Sequence, residues 1–212
     1  MTIALPRLDR STAAERGLTI ADFLVPIRVG ERLSSRVRHV ALILAGALLI
    51  YLTAQVYIVR LPVPLTGQTF GVLAVGGALG FRRGFAAVAV YVLLGIVGLP
   101  FFAEGKGGLA VLWGATGGYL IGFAIAGALV GRLAELGWDR RLGGALAMML
   151  IGEVVIYAVG LPWLKAVTGM SVQDTVANGL TPFIIWDLAK VLVASALFPI
   201  AWWVVGRRPE DR

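Results

Sequence analysis

Six stretches of this chain are apolar enough for the interior of a lipid bilayer, and the segments between them are too short to hold a soluble domain. A spanning helix needs about 20 predominantly apolar residues. His39–Val59, Gly84–Phe102, Leu109–Gly131, Leu142–Leu161 and Pro182–Val205 meet that length closely, and the shorter Gln68–Leu79 is bounded by Pro64 and by Arg82-Arg83. The pattern predicts an all-α, polytopic membrane protein with six transmembrane helices forming one domain over residues 39–206. Residues 1–38 read as a polar tail carrying a short surface helix at 18–29, and residues 207–212 as a second tail. Composition points the same way: 58% of the 212 residues are hydrophobic, 15% are charged, and the mean hydropathy is +0.86. A soluble globule of this size cannot bury so much apolar surface. A disordered chain, a nucleic-acid module and a water-soluble enzyme are excluded on this basis, despite a formal charge of +7.

The basic residues then orient the layout. With both termini inside, fifteen of the nineteen Lys and Arg fall in the N-terminal tail, the 82–83 turn, the 132–141 loop and the C-terminal tail. Only Arg60, Lys106 and Lys165 lie outside, while Lys190 sits within the sixth run. That asymmetry follows the positive-inside rule, and it persists when the tail is left out. The charge is thus a topology signal whose partner is the lipid surface, not a nucleic acid. The localisation expected is the bacterial or archaeal cell membrane.

Several chemistries are absent. The chain has no cysteine and one histidine, His39, so thiolate and histidine metal clusters have no ligands, and no cofactor is expected. Gly105-Lys106-Gly107 lacks the remaining elements of a Walker A loop, so the chain has no ATP-hydrolysing motif of that kind. Active transport needs a partner or an ion gradient.

Small residues recur at helical spacing in Gly67/Gly71, Gly76/Gly80/Gly84, Gly118/Gly122 and Gly127/Gly131. Such spacing places them on one helical face and lets backbones approach closely. Ala41 and Ala45 make a smooth stripe in the first run, serving either internal packing or the docking of another membrane subunit.

Charge inside a bilayer costs about 2.5–3.5 kcal/mol at a helix centre on insertion scales. Asp187 and Lys190 nevertheless lie three apart in the sixth run, on one helical face. They either neutralise one another or grip a ligand carrying both donors and acceptors. At 1.5 Å per residue, Asp187 lies roughly 6–8 Å below the outer edge. Gln68, Trp113, Thr116 and Tyr119 fall in the same outer half, with Lys106 in the loop above beside Glu104. Trp and Tyr also populate membrane interfaces without contacting ligands. Together the group suits an apolar pocket with a few fixed polar groups and a small amphiphilic ligand. Glu153, in the middle of the fifth run, either hydrogen-bonds a neighbouring helix or serves a proton relay or a ligand.

These residues also carry a family resemblance. Pro62-Val-Pro-Leu-Thr66-Gly-Gln68-Thr69 resembles the V-P-x-T-x-Q segment of the BioY family, the biotin-specific S components of energy-coupling factor (ECF) transporters. Arg82-Arg83-Gly84, Tyr91 with Gly95, and Gly98-Leu99-Pro100-Phe101-Phe102 are similar to the segments that follow. Gly114-Ala115-Thr116-Gly117-Gly118-Tyr119-Leu120 fits with Ala115 where the family usually has Pro. Gly152-Glu153, Tyr157 and Gly160-Leu161-Pro162-Trp163-Leu164 continue the match, and Asp187-x-x-Lys190 matches a late D-x-x-K. The likeness covers residues 40–205 in order.

The resemblance implies an ECF S-component-like fold that captures biotin from outside and delivers it with a transmembrane T component and paired ABC ATPases. In it Asp187 accepts a ureido N–H, and Lys190 donates to the ligand or holds Asp187. Gln68 shapes the gate of the first outer loop, while Trp113, Thr116 and Tyr119 face the ligand. Lys106 stands where the family often has Asn and can meet the carboxylate. Ala41 and Ala45 match the surface that docks the T component. Other readings keep the fold with thiamin or riboflavin as ligand, make the chain an intramembrane acid/base enzyme using Glu153 or Asp187, or give it a purely structural role in assembly.

Overall fold

Twelve residues between Gly67 and Gly80 organise the helices around them. Gln-Thr-Phe-Gly-Val-Leu-Ala-Val-Gly-Gly-Ala-Leu has no polar residue after its first two, so its helix has no solvent face to offer and becomes a central element. In the computed structural model, which describes residues 17–24, 32–59 and 62–205, eight of the twelve are buried. The elements in chain order are α1 (Ile20–Leu24), α2 (Arg32–Ala54), β1 (Tyr57–Val59), β2 (Leu65–Thr66), α3 (Gln68–Leu79) and α4 (Phe81–Ile96). They are followed by α5 (Leu109–Trp113), α6 (Gly117–Glu135), α7 (Leu142–Thr168), α8 (Val172–Gly179) and α9 (Ile184–Val205). Helix α3 packs against α2, α4, α6, α7 and α9, and α6 packs along α7.

Glycine makes this packing possible. A Cβ on Gly76 would stand 2.5 Å from the Gly127 carbonyl oxygen, and one on Gly131 would stand 2.5 Å from the Gly80 carbonyl carbon. Helices α3 and α6 therefore meet backbone to backbone, as small residues allow in membranes. Gly76 and Gly84 were expected with Gly80 on one helical face. Instead Gly80, at φ 85°, ends α3 and reverses the chain, so Gly84 comes back against Gly76 across a helical hairpin. Only glycine takes that φ without strain.

The expected runs shift in four other places. The first helix stops at Ala54, because Tyr57–Val59 pairs antiparallel with Leu65–Thr66 around the Pro62/Pro64 turn. The third helix stops at Ile96, and Gly98 at φ 104° starts the loop to α5. The fourth run splits after Trp113, where Gly114 is extended, and resumes at Gly117. The fifth continues through Pro162 to Thr168, held where Leu164 is fully buried; neighbouring helices commonly support proline in membrane helices. Helix α8 was not expected. Among the described residues, four helices, Ser35–Ala54 within α2 and all of α6, α7 and α9, are long and apolar enough to cross a membrane. At 12 and 16 residues, α3 and α4 are shorter.

At the far end of the bundle, the stretch read as a polar tail contributes a packed turn. Asp22 accepts from Arg38 at 2.9 Å and from both terminal nitrogens of Arg83 at 2.8 Å, and Thr19 caps it through its amide and hydroxyl. Burial works to raise the Asp22 carboxyl, but the hydrogen bonds from Arg83, Thr19 and Arg38 outweigh it and hold it well below the usual carboxylate range. The rest of the expected 18–29 helix, beyond Leu24, and residues 1–16 and 206–212 lie outside the described residues. In the 138–140 turn, Asp139 is fully buried and accepts from the Trp202 indole at 2.6 Å. Burial pushes its carboxyl up to about 6 against the opposing pull of Trp202 and Arg140.

Two tests follow from these contacts. Gly76→Val drives a side chain into the α6 backbone and should cost at least about 1–3 kcal/mol, seen as a lower thermal midpoint in detergent. Gly143→Ala, with nothing within 4 Å of the new Cβ, should leave the midpoint in place. Asp139 binds its proton more tightly folded than unfolded, so its contribution falls as pH rises from about 4 to 6 and is flat above. Asp139→Asn keeps an acceptor for Trp202 and should remove that slope, worth on the order of 3 kcal/mol.

Candidate binding site

The start of α9 places Asp187 and Lys190 one helical turn apart, facing the loop that leads into α3. Asp187 is 4% exposed. Its Oδ1 accepts from Lys190 Nζ at 2.8 Å and from the Thr69 hydroxyl at 3.3 Å, and its Oδ2 accepts from the Tyr157 hydroxyl. Lys190 also donates to the Thr66 carbonyl at 2.5 Å and to Thr69 Oγ1 at 3.3 Å. All three ammonium protons therefore have protein partners. The two charges do neutralise one another, as one reading of the sequence had it. Yet the cluster is not closed, because Asp187 Oδ2 has only one donor and a carboxylate oxygen accepts two.

Around this cluster lies a cavity, about 450 Å³ of empty space counting its open mouth. Leu120, Phe123, Ile156 and Phe183 give it apolar walls, and Val63, Pro64 and Thr66 border it from the ribbon side. Gln68, Thr116 and Tyr119 also line it. Gln68 is fixed by donating to the Tyr91 hydroxyl at 2.6 Å and accepting from Thr66 at 2.9 Å. Tyr119 donates to the Gly179 carbonyl at 2.9 Å, tying α6 to α8, and its ring meets Tyr157 edge-on. The free polar capacity is thus mostly acceptor capacity, on Asp187, Tyr157 and Tyr119, which selects a ligand that donates N–H groups. A second space of about 630 Å³ shares Pro64, Gln68, Thr116 and Leu120 with the first and runs on to Phe102, Val111 and Lys106. Lys106 is largely exposed and pairs with Glu104 at 3.2 Å.

Trp113 departs from the expectation. It lines neither space, is 64% exposed, and stacks on Trp163 with ring centroids 6.1 Å apart. The chain breaks at Gly114, where α5 ends, and Thr116 and Tyr119, beyond the break, line the cavity. Sequence reasoning missed Tyr157, Thr69, Thr66 and Phe183. Tyr157 had a signal, since it lies four residues after Glu153 on the same face of α7. Glu153 is buried beside Thr69 of α3, and neither of its carboxyl oxygens makes a close hydrogen bond among the described residues. Ala41 and Ala45 are both exposed on α2. Ala45 borders an apolar groove of about 810 Å³ with Ala74, Ala78, Ala194 and Ala201, whereas Ala41 lies outside its lining.

Comparison with known proteins agrees with this architecture. The chain is 41% identical over 136 residues to a biotin transporter BioY of Thermotoga maritima, covering 64% of this chain and 79% of that protein. It is 36% identical over 159 residues to a probable biotin transporter BioY of Pyrococcus horikoshii, covering 75% and 93%. Its fold matches the 2.1 Å crystal structure of the S-component for biotin from an ECF-type ABC transporter, with a TM-score of 0.73 and 24% identity over 82% of this chain and 95% of that one. The model of the BioY family matches residues 28–207, and with that extent of agreement the chain, a multi-pass protein of the cell membrane, belongs to the BioY family.

Proposed function

We propose that this chain is the substrate-capturing S component of a biotin importer. The observation that carries the reading is the buried Asp187 carboxylate, balanced by Lys190 yet left with acceptor capacity toward an apolar cavity. Biotin presents two ureido N–H donors on a compact, largely apolar bicycle, with a carboxylate at the end of a flexible chain. In this reading Asp187 Oδ2 accepts one ureido N–H, and Lys190 and Thr69 hold that carboxylate in place. Thr116, Tyr119 and Tyr157 supply further polar contacts, and Phe123, Leu120 and Phe183 pack the bicycle. Gln68 fixes the loop that borders the cavity. The acyl chain runs into the second space, where the Lys106 ammonium attracts its carboxylate. The names of the relatives support biotin over other vitamins.

The same proposal includes six membrane crossings with both termini inside, the short α3 and α4 counting as two of them. The one-sided distribution of Lys and Arg supports it. Delivery would depend on a transmembrane T component and paired ABC ATPases, the latter because the chain has no Walker A motif. Docking on the exposed Ala41 and Ala45 stripe is supported by the alanine-lined groove beside it, where a partner helix can approach closely.

Binding to the detergent-purified chain without nucleotide tests the reading. Asp187→Asn should weaken biotin binding by roughly ten- to a hundredfold, the worth of a hydrogen bond to a charged group. Unchanged affinity would remove Asp187 from the site. Lys106→Ala should cost about fivefold at low salt, a loss that shrinks as salt rises because the side chain is exposed. Biotin methyl ester should not distinguish Lys106→Ala from the native chain; if it does, Lys106 is not the carboxylate partner.

A further inference from the structure

At the opposite end of α3 from the binding cavity, the start of α2, the α3–α4 turn and the last turn of α6 enclose another space, of about 1240 Å³. Arg82, Arg83 and Arg132 line it with His39, and Glu135 is the one acid among its described lining residues. The partners of these groups decide which charges remain available. Arg83 is committed to Asp22, Thr19 and the Leu79 carbonyl. Glu135 is committed on both oxygens, accepting from the Phe81 amide at 2.9 Å and from Arg132 at 3.0 Å. Arg82 and His39 make no hydrogen bond or ion pair among the described residues, and Arg132 uses only one of its nitrogens on Glu135. Among the described residues that line the space, no carboxylate is left over to balance them.

The rest of the lining, Ile43, Leu79 and Phe81, is apolar. Ile43 lies one turn beyond His39 on α2, within the Ser35–Ala54 span, and Phe81 is half exposed. Guanidinium groups at the rim and hydrocarbon one turn deeper form an amphiphilic site at interfacial depth. Guanidinium forks match phosphate oxygens, and basic pockets between membrane helices suit anionic head groups.

We propose that this cavity binds the phosphate of an anionic phospholipid, held by Arg82 and Arg132 with His39 at its edge, and its acyl chain along Ile43 and Phe81. The apolar wall distinguishes a lipid from free phosphate, which offers the same charge and nothing for Ile43 or Phe81 to cover.

Native mass spectrometry of the full chain, titrated with phosphatidylglycerol or with phosphatidylcholine of the same acyl chains, tests this. Phosphatidylglycerol should bind in preference, and Arg82→Ala and Arg132→Ala should each weaken it about fivefold. Arg141→Ala removes an exposed cation from the same end of the bundle but outside the cavity, and should have no effect. Millimolar inorganic phosphate should not compete. Equal binding of the two lipids, an equal loss in Arg141→Ala, or displacement by inorganic phosphate would each overturn the proposal. Retained biotin binding by the variants shows that they are folded, and Arg82→Lys, which keeps the charge but loses the fork, should fall between native and Arg82→Ala.

Discussion

A carboxylate buried between membrane helices must find its neutralising charge within a few ångströms, and for Asp187 that charge is Lys190 at 2.8 Å. The cost of burying either ion alone is far above what a single helix contact returns. The pair therefore fixes more than itself. Through Lys190 it ties α9 to the Thr66 carbonyl, through Thr69 to α3, and through Tyr157 to α7. The loop that borders the cavity is pinned by the same ammonium that balances the acid. In the proposed reading, ligand recognition and helix assembly rest on one electrostatic unit. The ion pair neutralises the acid and leaves one acceptor site open on Asp187 Oδ2.

Glycine supplies the second constraint. Where α3 meets α6, and where α4 folds back at Gly80, backbones touch without intervening side chains. This close approach sets Gln68 and Thr69, at the first turn of α3, within reach of Tyr91 and Asp187. A looser centre would move the first turn of α3 away from α9, and the hydrogen bonds around Asp187 would lengthen with it. Membrane packing and site geometry are in this sense the same problem.

Much of this was legible in the residue order. The membrane class follows from apolar runs, and the D-x-x-K pair stands out because charge is expensive there. Helix ends were less legible, since Gly80 and Gly114 act through backbone conformation rather than through hydropathy. An apolar residue in a short strand, such as Val59 in β1, reads like one in a span. Trp113 was misassigned for the same reason: in a continuous helix it shares a region with Thr116, but the break at Gly114 turns it outward. Thr69 looks ordinary in sequence, and its place beside Asp187 appears only when α3 and α9 come together. The packed turn at Leu18–Asp22 was hidden because its partners, Arg38, Arg83 and Arg140, come from three separate segments.

The central claim is that Asp187 has room for one more N–H, donated by the ureido ring. Calorimetric titration of the nucleotide-free chain, with biotin and with an analogue methylated on both ureido nitrogens, measures this directly. The account predicts one biotin bound per chain and a loss of at least tenfold in affinity for the methylated analogue. Equal affinity for the two would contradict it, because the carboxylate would then accept nothing from the ring.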